Sequence, residues 1–447
     1  MPELEALCAA AVDAAEDGEA VEAYAQEARR VSVDARLGEV EGLTFAESRG
    51  VGVRVIADGR LGYAWAADPS VQDVRTTVEQ ARTNSRFATP DEHHVLPDSN
   101  AIVSLDGLFV TAQASIGAER KVALALDVER VATSTDPRVR KVESAGYGDA
   151  VSRIAIASTA GIAAAYERTD CWCSVVTLAE TEGGGETQTG FSFRIGRSLD
   201  ELDPDAVARE AVERGTRMLG AGKPPTARVP VVLDPFAGSA FLGVLAGPLS
   251  AEAVQKGRSL FAELVGRTVA SEVVTVVDDG RSLAGPAASP FDDEGVPTGR
   301  TELVTRGVLN GFLHNTYTAH RGGTRSTGNA SRAGFRSAPG VGTSNLSIEP
   351  GEASPEDLLK AAEGGVLGQA VSGVHSGANE ISGEFSVGAT GLRVSGGALG
   401  EPLREMTIAS TIPQMLAAIT TVGNDLRFFS SVGVPSILIG EMTLAGV

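Results

Sequence analysis

A chain of 447 residues exceeds what one hydrophobic core ordinarily organises, so two domains are expected. Its 43% hydrophobic and 21% charged content excludes a disordered or fibrous chain. A formal net charge of −20, with no clustered Lys/Arg run, argues against nucleic acid as a partner, because phosphate contacts need grouped basic side chains.

The chain opens on MPELEALCAAAVDAAEDGEA, an acidic segment with neither the basic nor the apolar region of a signal peptide. Leu4, Leu7, Ala11, Ala14 and Ala15 stand near helical spacing and predict a helix over 3–28. Val31, Val33 and Ala35 then alternate with polar residues, and 44–57 carries Val51, Val53 and Val55 on one strand face. Asp58-Gly59 predicts a hairpin into a strand over 61–65. Asp68-Pro69 opens a helix over 69–86, the polar segment 87–107 reads as a loop, and a second helix fits 117–135. Strands are expected at 139–148, 151–159, 162–180 and 186–194, then a helix at 203–219. The stretch G-A-G-K-P-P from Gly220 to Pro225 reads as a linker and divides the chain into domains 1–222 and 223–447.

The second half opens with a buried strand at 229–233 and a mixed region at 236–267, in which 251–266 reads as helical. Short strands are expected at 273–277, 302–304, 308–313, 385–389, 392–394 and 437–444, with helices at 355–368 and 411–422. The 53 glycines and few aromatics favour turn-rich antiparallel sheet. The expected class is α+β: an N-terminal α/β domain followed by a larger, mostly antiparallel β domain with a few helices. No apolar stretch approaches the roughly 20 residues that span a bilayer, so no membrane association is expected. Cys8, Cys171 and Cys173 are an odd, sparse set that fits reduced thiols in the cytoplasm.

The residues by themselves assemble no catalytic constellation. His93, His94, His314, His320 and His375 include no HExxH pair, and Cys171 and Cys173 share a strand face as a buried pair would. Neither a nucleophile elbow nor a P-loop is present, and the Gly-rich run 182–185 reads as a hairpin tip. Asp292, Asp293 and Glu294 could bind a cation or act as an acid/base pair. Followed by Gly295 and Pro297, they read instead as a solvated turn.

An ordered set of strings changes this assessment. A-S-E-V-V-T-V-V-D-D-G at 270–280 is followed by F-D-D-E-G-V-P at 291–297 and S-T-G-N at 326–329. I-S-G-E-F-S-V-G at 381–388, V-G-N-D-L at 422–426 and R-G-V-G-V-R-V at 49–55 complete the set. Over nearly its whole length the chain resembles the TldD/PmbA metallopeptidase family. The resemblance implies two kinds of subunit that pair. The TldD-like kind carries HExxxH on a helix and a late Cys, which bind zinc, with the motif's Glu as general base on the zinc-bound water. Histidines five apart splay by about 140° on an ideal helix, so some local distortion is implied.

Aligned back from K-G-R-S-L-F at 256–261, the motif window falls on L-G-V-L-A-G. Leu242 stands at the first His, Gly243 at the Glu and Gly247 at the second His; the late Cys position is Pro435. No His lies between residues 94 and 314, so a shifted alignment supplies no ligand either. The resemblance therefore implies a PmbA (TldE)-like, non-catalytic subunit with no metal of its own, zinc being expected in the partner. The implied partners are a TldD-like zinc-binding subunit in a heterodimer and an extended or unfolded peptide, with a homodimer when alone. Asp292, Asp293, Glu294, Gly328 and Asn329 are the expected substrate or partner contacts, set against a reading of them as turn and framework residues. Two other readings stay open: a peptide-binding homodimer that cleaves nothing, and a hydrolase improvising a site from His314, Asp292 or His375.

Overall fold

A computed structural model describes residues 2–446. Its first helix, α1 (Pro2–Val12), ends far short of the 3–28 expected, and strand β1 (Ala20–Arg36) follows. Alanine and glutamate favour helix locally, but Val21, Ala23 and Ala25 alternate with Glu22 and Tyr24. That period of two lets β1 pair along its length with a neighbour on each side, and tertiary pairing overrides propensity. Strand β2 (Glu39–Ala57) returns along β1, and β3 (Arg60–Ala67) closes the Asp58-Gly59 hairpin. β4 (Val139–Ser158) runs unbroken where two strands were expected, and β5 (Ala163–Glu180) and β6 (Thr187–Gly196) complete a sheet of order β3-β2-β1-β4-β5-β6. Every pairing in it is antiparallel.

The alternation sorts this sheet into two faces. Val21, Ala23, Val51, Val53 and Val55 lie against α1 and helix α2 (Val71–Ser85). Val33, Cys171, Cys173 and Val175 lie against the helices Ala118–Thr135 and Pro204–Thr216. On the opposite face Tyr24, Ile154 and Ile156 pack with Phe291 and Phe335 of the second half. The sheet is thus covered by helices on one side and by the rest of the molecule on the other. The segment 87–107 contains neither helix nor strand.

In the second half Ala398–Thr411 pairs with both Glu384–Ser395 and Ile437–Ala445. Together with Ala227–Leu233 and Val366–Ser372 these strands therefore close into a ring. A second six-stranded sheet contains Val276–Asp279, Arg300–Thr305, Leu346–Ile348 and Val432–Val434. One apolar cluster takes residues from both sheets and from the helix Pro235–Leu245. Three expected helices are shorter than the sequence suggested. That at 251–266 ends at Gln255, 355–368 is Pro355–Ala361 followed by a strand, and 411–422 is Ile412–Ala418 followed by Ile419–Val422. The class is α+β, mostly antiparallel sheet with a few helices. Among the described residues no helix is long and apolar enough to cross a membrane.

Candidate functional site

The helix that carries the motif window is Pro235–Leu245. Asp234 caps it: its Oδ1 accepts the Ala237 N–H at 2.8 Å, and Pro235 occupies the first turn, where a missing N–H costs nothing. Asp234 Oδ2 also accepts from Arg214 Nη1 at 2.6 Å, tying the helix to the first half. Burial pushes the Asp234 carboxyl up, and Arg214 opposes that push.

Along this helix the window residues diverge. Leu242 is fully buried in the apolar cluster beside Phe241 and Leu245. Gly243 is half-exposed, and a Cβ there would meet no atom within 4 Å. Gly247 follows the helix end, half-exposed, and a Cβ there would collide with the Glu380 carboxylate. Pro435 is buried beside the helix's first turn, its carbonyl 3.9 Å from a Cβ built at Gly238. A zinc ion does not fit these residues. One leucine, two glycines and a proline offer no side-chain donor atom, and among the described residues no group of three or more His, Cys, Asp or Glu is placed to hold a metal. The cysteines are buried in the first half, and burial pushes the Cys8 and Cys173 thiols up to about 12.

Beside the window lies a cleft of ≈ 790 Å³. Gly247 and Ala246 line one wall, Glu252, Lys256 and Arg258 a second, and 341–343 with 378–381 the rest. Glu252 and Lys256 are ion-paired across one helical turn. Val341 belongs to the strand Gly340–Val341, which among the described residues forms a ladder with Ala330–Ser331 alone, so its other edge, at the cleft's rim, has no strand partner.

The other expected contact residues sit elsewhere, and the solvated turn expected at 292–294 is corrected. The turn exists, with the Gly295 N–H donating to the Asp292 carbonyl at 2.9 Å, but Asp292 and Glu294 are only 6% and 1% exposed. Asp292 Oδ1 accepts the N–H groups of Glu294 (2.9 Å) and Val296 (3.0 Å), and Oδ2 that of Ala330 (2.9 Å). Burial and the Glu294 charge push its carboxyl well up against those three donors. Asp293 accepts the Arg332 N–H at 2.7 Å. Glu294 accepts from Arg54 Nη1 at 2.7 Å and from the Thr316 N–H at 2.8 Å.

Gly328 has φ +74°, and a Cβ there would press on the Pro297 carbonyl at 2.6 Å, so only glycine fits. Asn329 donates to Asp278 Oδ2 at 2.6 Å and to the Gly342 carbonyl at 3.2 Å. Through Gly342 alone does this group reach the cleft. Of the five, Glu294 reaches the first half through Arg54, while Asp292, Asp293, Gly328 and Asn329 bond or press on neighbouring groups of the second half.

Sequence reasoning missed what Asp293 and Glu294 join. Glu22 accepts from Arg54 Nε (3.1 Å) and Nη2 (2.5 Å) and from Arg332, and all three side chains are nearly fully buried. Burial pushes the Glu22 carboxyl up, but Arg54 and Arg332 outweigh it and hold it below its usual range. The available signal was the polar phase of β1's alternation, hidden while 20–28 read as helix. His314 precedes the helix Thr316–Arg321 with Nδ1 buried and unpartnered, and burial lowers its pKa. His93 Nδ1 lies 3.2 Å from His320 Nδ1, and His375 is exposed on the short helix Val374–Gly377. Among the described residues no hydrogen bond links His314, Asp292 and His375 to one another.

Comparisons with known proteins cover nearly all of the chain. Residues 226–446 match the family model described as the PmbA/TldA metallopeptidase C-terminal domain, 112–219 the central domain and 21–85 domain 1. The metalloprotease PmbA of Escherichia coli O157:H7 is 28% identical, over 93% of this chain and 90% of its own. A metalloprotease TldD homolog of Buchnera aphidicola subsp. Schizaphis graminum is 27% identical, over 89% and 86%. The crystal structure of TldE from Thermococcus kodakarensis superposes with a TM-score of 0.91, covering 99% of this chain and 100% of that one. At 23% identity this likeness speaks to the fold alone.

Proposed function

The chain belongs to the PmbA/TldD metallopeptidase family, and from that premise we propose that it is the subunit without a catalytic metal, working as one wall of a peptidase whose zinc lies in a TldD-like partner. The observation that carries this reading is the motif window itself. Leu242 is a core side chain, and Gly243 and Gly247 have no side chains. Neither metal ligand nor general base can come from these positions.

The cleft beside the window gives the partnership its second role, binding of an extended peptide. The free edge at Gly340–Val341 can add a strand through main-chain hydrogen bonds, and Glu252, Lys256, Arg258 and Glu380 supply charges of both signs along it. Such a subunit acts in peptide turnover or maturation, in the cytoplasm, and carries no cofactor of its own.

Co-expression with a TldD-like chain is expected to give an equimolar complex that hydrolyses peptides, with zinc in the partner and none in this chain purified alone. Stoichiometric zinc in this chain alone, or peptide turnover by it without a partner, would overturn the reading.

A further inference from the structure

Beyond the cleft, and sharing no residue with it, a smaller cavity of ≈ 140 Å³ lies between the two halves. Asp170, Phe193, Arg194, Arg197 and Glu201 line it from the first half, and 283–286 with Arg427–Phe428 from the second. Arg197 is 5% exposed. Its Nη1 donates to Asp170 Oδ1 at 3.2 Å and its Nη2 to the Gly285 and Pro286 carbonyls at 3.2 and 3.3 Å, while its Nε is buried with no partner. The Nε of Arg194 is likewise buried without a partner. Among the described residues no carboxylate lies within 4.0 Å of the Arg194 guanidinium.

The neighbouring acids are already engaged. Asp170 holds Arg168 at 2.8 and 2.5 Å as well as Arg197. Glu201 accepts the Arg197 backbone N–H at 3.2 Å and the Ser198 hydroxyl at 3.4 Å. Glu210 holds Arg427 at 2.6 and 3.2 Å. Arg168, Arg194, Arg197 and Arg427 thus face Asp170, Glu201 and Glu210, leaving one cation over in a chain of net charge −20. Burial and the adjacent Arg168 work against the Arg197 cation and lower its pKa, and Asp170 and Glu201 offset them only in part. An anion in the cavity offsets both effects.

A neutral ligand would leave the surplus charge uncompensated, and a metal cation would be repelled. Guanidinium forks match the oxygens of a phosphate or carboxylate. A water needs only about 10–15 Å³ of cavity space, so the cavity has room for a small oxyanion. We propose that this cavity binds a small oxyanion, inorganic phosphate or a free carboxylate, which Arg194 and Arg197 hold between the two halves of the chain.

The test is thermal unfolding and titration calorimetry of the full chain in sodium phosphate against sodium chloride at matched ionic strength. Phosphate is expected to raise Tm saturably, with a binding heat that Arg194→Gln weakens about tenfold or more. In chloride Arg194→Gln melts no lower than the parent, because it removes an unpaired charge. Arg194→Lys, which keeps a charge but loses the fork, binds with intermediate affinity and guards against a folding failure. Acetate and acetamide, both small enough for the cavity, separate the sources. Displacement of phosphate by acetate alone assigns the site to a carboxylate, and no displacement by either assigns it to phosphate. Phosphate binding unchanged in Arg194→Gln, or no effect of either anion beyond chloride, overturns the proposal.

Discussion

Burial lifts the Asp278 carboxyl to about 6, against the Asn329 amide and the Ser344 N–H, which both donate to it. The folded protein therefore holds this proton more tightly than the unfolded chain, where the ordinary value is 3.8. The sign follows. Below pH 3.8 the group costs nothing, stability falls as pH rises from 3.8 to about 6, and above that the full cost is present. At 1.36 kcal/mol per pKa unit that cost is on the order of 3 kcal/mol. Asp278→Asn should flatten the slope over this window in urea unfolding at a series of pH values. It should also lower stability at the acid end by about 1 kcal/mol, because its amide can accept from Ser344 but meets the Asn329 amide donor to donor. An undiminished slope in the variant would place the titration elsewhere. None of this was legible in the string V-V-D-D-G, because two adjacent aspartates alternate across a strand and only the structure says which one faces inward.

The elements were legible where a period was unmistakable and a stop signal followed it. The hairpin at Asp58-Gly59 and the helices Val71–Ser85 and Ala118–Thr135 are of this kind. Three of the errors share one form, a helix carried on into residues that the fold uses as a strand: those at 3–28, 355–368 and 411–422. After Ala361 the chain turns at Gly364, φ +76°, and 366–372 joins the ring by pairing with 227–233. The apolar run there serves helix or strand equally, and the deciding partner lies more than a hundred residues away.

The helix-on-sheet contacts give a prediction at this scale. A Cβ on Gly190 of β6 would strike the Ala211 carbonyl of the helix Pro204–Thr216, and one on Gly62 of β3 would strike the Ala81 carbonyl of α2. Each glycine lets a helix sit directly on an outer strand of the sheet. Gly190→Ala and Gly62→Ala should each destabilise by about 1–3 kcal/mol through overpacking, read as a lower urea midpoint with an unchanged m-value. Gly243→Ala, whose Cβ meets nothing within 4 Å, is the control and should be neutral or slightly stabilising.

At the scale of the molecule, the expectation at the motif window draws on residue identities alone. How the halves meet is not legible from identities, since Glu22, Arg54, Glu294 and Arg332 are far apart in sequence and carry no shared motif. Their burial makes them costly to separate. Arg54 sits between two carboxylates, Glu22 and Glu294, with its side chain 5% exposed and theirs 1% and 0%. Charges so far from water are stable only while each keeps its partner. Arg54→Met keeps the bulk but leaves Glu294 without an ion pair and Glu22 with Arg332 alone, so a loss of about 3–5 kcal/mol is expected in chemical unfolding.

The surface pair Arg228–Glu441, with side chains 72% and 59% exposed, has a comparable N–O separation of 2.9 Å, yet Arg228→Met should change stability by less than about 1 kcal/mol. The contrast separates a buried tie from a count of ion pairs. Adding Glu294→Gln to Arg54→Met removes the stranded charge and should recover part of the loss. If the double variant is no more stable than Arg54→Met, the loss comes from packing around the guanidinium. In that case the ions are not what holds the halves together.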